Sequence, residues 1–121
     1  DDTTETMQET MRMAHEIMPD ILNLYACQTY PGSPLWDQAR KEGWELSYDW
    51  RTYAHHSYEC IPARTRTLSS AEVLRFRDDA FHKFYTSPTY QSHVMTKFGA
   101  KAAVEIAEMV RVPLKRKLLG D

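Results

Sequence analysis

Four side chains able to hold a metal ion, His55, His56, Glu59 and Cys60, fall within six residues of one another. Their spacing matches no zinc pattern. There is no Cys-x-x-Cys and no His-Glu-x-x-His, and adjacent histidines in an extended piece point in opposite directions. We therefore expect no metal site, with His55 and His56 on the surface or packed among the aromatic residues of a loop. His15, His82 and His93 sit in helical stretches with no partner at ligand spacing. Cys27 lies at the carboxyl end of an apolar run, where α/β proteins place functional side chains. No histidine is positioned in sequence to activate it, and a free cysteine there reads first as a small buried hydrophobe. The neighbouring carboxylates Asp78 and Asp79, and Asp49 with Glu45, read as solvated faces of helix or loop. The four glycines are scattered, so no phosphate-cradling loop exists. No catalytic residue is assigned.

The elements that carry these residues are mostly helical. Asp2 or Thr3 caps a first helix, with Glu5 three residues after Asp2 and an apolar stripe of Met7, Met11, Ala14 and Met18. Pro19 ends it. Residues 21–27 follow as an apolar run with the look of a strand buried on both faces, the pattern of a parallel sheet. Pro31-Gly32 then turns the chain, Ser33 caps, Pro34 opens a short helix over 34–42, and Gly43 closes it. Residues 44–67 have neither period, and their interleaved aromatics Trp44, Tyr48, Trp50, Tyr53 and Tyr58 suggest an ordered loop with an extended piece near 58–61. Those aromatics could stack a planar ligand or simply pack the loop, and packing is the favoured reading. Ser69 and Glu72 form a capping box for a third helix whose face is Val73, Phe76, Ala80 and Phe84. Ser87-Pro88 restarts a helix to Phe98, Gly99 breaks it, and a last helix runs from Ala100 towards Pro113.

The chain has 121 residues, a formal charge of −2 and two cysteines. That is one domain's worth, with no basic field for nucleic acid, no disulfide framework and no apolar run of membrane length. A reducing cytoplasm is the expected setting. Acidic residues crowd positions 1–20, and Arg111, Lys115, Arg116 and Lys117 crowd the tail; both read as solvated faces. The chain opens at Asp1 without a methionine and straight into a capping sequence, so the expectation is a longer parent whose greater part lies upstream.

Taken together, Asp-Asp-Thr-Thr-Glu-Thr (1–6), Asn23-Leu24-Tyr25, Tyr30-Pro31-Gly32-Ser33-Pro34-Leu35, Lys41-Glu42-Gly43-Trp44, Leu68-Ser69 with Glu72, and Phe84-Tyr85 with Ser87-Pro88 resemble the radical S-adenosylmethionine enzymes. The subgroup is the one with a cobalamin-binding domain, which includes the anaerobic magnesium-protoporphyrin monomethyl ester cyclases. The resemblance covers nearly the whole chain. It implies a mostly α chain with one clear strand, an α/β fragment: residues 1–43 as the last helix–strand–helix of a partial (β/α)6 barrel, 44–67 as an aromatic-rich loop, and 68–121 as a C-terminal helical extension, all in one compact unit. It also implies that Tyr25, Ala26, Cys27, Gln28 and Thr29 approach S-adenosylmethionine in the intact parent. The family's Cys-x-x-x-Cys-x-x-Cys, which holds a [4Fe–4S] cluster, is absent, and Cys27 and Cys60 cannot replace it. The implied parent is an iron–sulfur oxidoreductase, cyclase or methyltransferase of anaerobic metabolism. It carries the cluster and S-adenosylmethionine, with cobalamin as a further candidate. The present chain is expected to be inert alone, to partner the missing N-terminal part, and to form a homodimer through its orphan strand. The competing expectation is a self-sufficient helical protein-interaction module.

Overall fold

In the computed structural model, which describes residues 1–121, the regular structure is all helical and there is no strand. Helix α1 spans Thr4–Ile17, α2 Pro34–Lys41, α3 Ser70–Thr86 and α4 Pro88–Val110, with single 3-10 turns at Trp50–Tyr53 and Lys117–Leu119.

Capping chemistry sets most of these boundaries. At α1 the cap is Thr3. Its hydroxyl accepts from the Thr6 N–H while the Thr6 hydroxyl accepts from the Thr3 N–H, so Thr6, and not Glu5, completes the box. The helix stops where Met18 turns left-handed at φ 49°, donating its N–H to the Ala14 carbonyl, and Pro19 follows. At α3 the Ser69–Glu72 box forms as the spacing predicts. Ser87 then serves two helices, donating its hydroxyl to the Phe84 carbonyl and accepting from the Tyr90 N–H. The break expected at Gly99 is present: this residue has φ 84° and ψ 178° inside α4.

The core lies where α1, α3 and α4 meet. Phe84, Tyr90 and Val94 are fully buried, joined by Ala14, Tyr85 and Ala103, with Met11, Leu22, Phe81 and Ile106 packed around them. Ring centroids of Phe84 and Tyr90 are 4.9 Å apart, as are those of Tyr85 and Tyr90. Aromatic pairs at this separation add about 1 kcal/mol each beyond their area burial.

Residues 21–27 correct the sequence-based fold. They are extended, but their one backbone–backbone bond is from the Ala63 N–H to the Cys27 carbonyl and no ladder forms, so there is no sheet, no β/α unit and no barrel portion, and the chain is all-α rather than α/β. Nor are they buried on both faces. Residues 22, 24, 26 and 28 turn inward while 21, 23, 25 and 27 are exposed, with Ile21 three-quarters exposed. Helix side chains hold the segment in place of a ladder. Tyr85 Oη both donates to the Leu22 carbonyl and accepts from the Leu22 N–H, each at 2.9 Å. Tyr90 Oη donates to the Asp20 carbonyl at 2.7 Å, and Arg77 Nε to the Leu24 carbonyl at 2.8 Å. The Asp20 carboxylate meets Lys97 and His93 on α4.

The tail corrects a second expectation. Arg116 is fully buried instead of solvated. Its guanidinium grips both carboxylate oxygens of Asp78 at 2.8 and 3.0 Å and donates to the carbonyls of His55 and Ser57, each at 2.9 Å. Asp78 is therefore half of an ion pair and does not belong to a solvated face. Within 44–67, Tyr53 Oη donates to the Ser47 carbonyl and Lys117 donates its backbone N–H to the Tyr58 carbonyl. The loop is thus ordered by side chains rather than by period.

Candidate functional site

Between α1, the extended segment, residues 63–66 and the start of α3 lies a groove of about 650 Å³. Its depth follows from local sequence. The period-two run brings Leu24 and Ala26 to the inner side, Met7 and Met11 come from one stripe of α1, and Val73 and Phe76 from the first turns of α3. One backbone bond closes an end: Ala63 donates its N–H to the Cys27 carbonyl at 2.8 Å. Trp44, Leu35 and Gln38 complete the side towards α2.

Of the five residues singled out by the family resemblance, the structure brings Tyr25, Ala26 and Cys27 to this groove. Gln28 and Thr29 are buried outside its lining. Gln28 donates Nε2 to Cys60 Sγ at 3.6 Å, while its Oε1 has no partner. From Asn23 to Tyr30 no backbone N–H donates a hydrogen bond within the chain. A run of unspent donors along an extended segment is the property that makes sheet edges adhesive.

Behind the groove wall, Tyr25 packs on His55 with ring centroids 4.8 Å apart and on His56 at 6.2 Å. His56 Nε2 is 3.5 Å from the Arg77 guanidinium. Burial lowers the pKa of His55, and the nearby His56, Arg77 and Arg116 lower it further, since each disfavours another positive charge. Burial pushes the Cys60 thiol up, which makes it a poor nucleophile. The structure brings no three His, Cys, Asp or Glu side chains into a metal-holding group, and His55, His56, Glu59 and Cys60 do not converge.

Three arginines stand along the groove: Arg64, Arg66 and Arg77. Arg66 pairs with Glu42 at 3.1 Å and Asp1 at 3.7 Å, which holds the Glu42 carboxyl below its usual range. Arg77 pairs with Asp78 at 2.8 Å. Arg64 meets no carboxylate; its guanidinium lies 5.9 Å from the centre of the Trp44 ring and donates Nε to the Thr65 carbonyl. Sequence reasoning missed this trio. The available signal was Arg64-x-Arg66 in an extended piece, a spacing that sets two cations on one side.

No helix is long and apolar enough to cross a membrane. Comparison of the chain with protein-family models, curated proteins and solved structures finds no match.

Proposed function

We propose that this chain is the C-terminal portion of a cytoplasmic radical S-adenosylmethionine iron–sulfur enzyme, an oxidoreductase, cyclase or methyltransferase, and that it does no chemistry by itself. The observation that carries the reading is the extended segment, with Tyr25 and Cys27 facing outward and the N–H groups of 23–30 unspent. A surface of this kind is suited to being covered by more protein. The order and spacing of the motifs from Asp1 to Pro88 support the choice of family.

The residues present do not fit an iron–sulfur cluster. Cys27 is exposed on the groove, Cys60 is buried, and there is no third cysteine. The cluster would reside in the remainder of the enzyme and supply the electron that cleaves S-adenosylmethionine. What this chain offers is a wall: Tyr25, Ala26 and Cys27 towards the cofactor side, with Tyr25 backed by His55. Cobalamin belongs to the same proposal as a second cofactor of the parent.

The reading frame upstream of Asp1 tests this directly. Codons for Cys-x-x-x-Cys-x-x-Cys in frame are expected, and a start codon close to Asp1 refutes the proposal. Anaerobic addition of iron and sulfide to the chain should leave it colourless; a stoichiometric brown cluster would overturn the inert role. Without its covering partner, the segment 21–30 should pair with a second copy, since it carries no charge to oppose itself. Sedimentation equilibrium should show dimers at high concentration, and monomer throughout counts against the pairing. A helical interaction module is the second reading. It is favoured by the closed core of α1, α3 and α4, which buries its aromatic residues without outside help.

A further inference from the structure

We propose that the groove binds a small amphipathic carboxylate, an apolar body with one anionic head, and that Arg64 receives the head. The groove is complete within this chain, so the inference stands apart from the family reading above. Its volume of about 650 Å³ falls within the range of ligand pockets, roughly 300–1,000 Å³. Its floor is apolar, made of Met7 and Met11 from one side and Val73 and Phe76 from the other. Methionines suit such a floor because the unbranched thioether adapts to the shape laid against it.

The charges decide the sign of the head group. Arg66 is shared between Glu42 and Asp1, and Arg77 is engaged by Asp78 and the Leu24 carbonyl. Asp2, the remaining acid on the rim, keeps its charge but lies at the N-terminus of α1, where the helix dipole favours an anion, and accepts the Thr6 hydroxyl through Oδ1. Arg64 is the one arginine of the three that meets no carboxylate, and it lies beside the Trp44 ring. A planar fork of N–H donors of this kind matches a carboxylate through two parallel hydrogen bonds. An apolar floor with one spare cation at the rim therefore selects an amphipathic acid over a neutral apolar molecule or a fully polar anion.

The test uses the full chain with cis-parinaric acid and its methyl ester, whose fluorescence rises on transfer to an apolar site. Saturable binding is expected, with the acid preferred over the ester by roughly five- to tenfold, the worth of a charge-assisted hydrogen bond at a part-exposed site. Arg64→Gln should abolish the preference while leaving ester affinity and thermal midpoint unchanged. Met7→Glu, on the half-exposed side of α1, should weaken both ligands. Absence of saturable binding, an acid preference that survives in R64Q, or ester affinity untouched by M7E would each overturn the proposal. A cluster assembling on the chain would refute the inert role proposed earlier and leave this prediction standing.

Discussion

Replacing Arg116 with alanine tests how the far end of the chain holds the wall of the groove. The Arg116 side chain has no exposure and Asp78 has 22%. Truncation leaves the Asp78 carboxylate with Arg77 alone and deprives the His55 and Ser57 carbonyls of their shared donor. Breaking a buried ion pair by removing one partner costs about 3–5 kcal/mol. Because Arg77 remains and Asp78 is partly hydrated, the lower end, about 3 kcal/mol, is the expected loss. Urea unfolding followed by far-ultraviolet circular dichroism should show the midpoint fall with an unchanged slope, the sign of lost stability rather than altered compactness. A cycle with Asp78→Asn and the double variant should return a coupling above about 1 kcal/mol, as expected for directly bonded partners. Burial alone would raise the Asp78 carboxyl, but hydrogen bonds from Arg116 and Arg77 outweigh it and hold it below its ordinary value. The pair's stabilisation is thus fully present above the ordinary aspartate range, near about pH 4, and is lost as pH falls through the depressed value. In Arg116→Ala that acid-limb loss should shrink. A single-variant cost under about 1 kcal/mol, or an acid limb identical to the parent's, would refute the reasoning.

Phe84→Ala removes a fully buried ring from the junction of α1, α3 and α4 and should cost about 3–5 kcal/mol, read as a lower thermal midpoint. Amide exchange at low protein concentration should find Leu22 slow, because its N–H donates to Tyr85, and Asn23 to Cys27 fast; Tyr85→Phe should speed Leu22, and slow exchange across 23–27 in a monomer would contradict the unpaired segment. Proton NMR should find His55 titrating below the ordinary histidine range. Since burial and neighbouring cations disfavour its charged form in the fold, stability from this site is present above about pH 6.5 and lost on acidification; a normal or raised value would refute the packing around Tyr25.

The parts of this fold that were legible in the sequence are those decided within a few residues. Ser69 with Glu72, Ser33 with Pro34, and Ser87 with Pro88 each announce a helix start, and Gly99 announces a break, because caps and left-handed turns are settled by neighbours three or four positions away. The segment 21–27 misled for the opposite reason. Its apolar residues at 21, 22, 24 and 26 satisfy the pattern of a strand buried on both faces. Yet the partners of its backbone are the Tyr85 hydroxyl and the Arg77 guanidinium, more than fifty positions away, and the Ala63 N–H, thirty-six positions away, and no local pattern reports them. Arg116 was misread likewise: in a basic tail it resembles its neighbours, and only its meeting with Asp78, thirty-eight positions away, places it inside. For the site, Tyr25, Ala26 and Cys27 reach the groove, while Gln28 and Thr29 turn away after the Cys27–Ala63 rung. Arg64 and Arg66 were hidden in a stretch without helical or strand period, and Arg77 belongs to α3.

The latch at Arg116 also imposes an order of assembly during synthesis. Helices α3 and α4 are neighbours in sequence and meet with little loop closure, so they can associate, with α1, as soon as they leave the ribosome. Until residue 116 emerges, Asp78 waits on α3 with Arg77 as its only cation, and the carbonyls of His55 and Ser57 remain hydrated. The wall behind Tyr25 is therefore set late, by a residue contributed from outside the groove. Proteolytic trimming of residues 116–121 would return a folded molecule to that waiting state, its helical core intact and its groove slackened on one side.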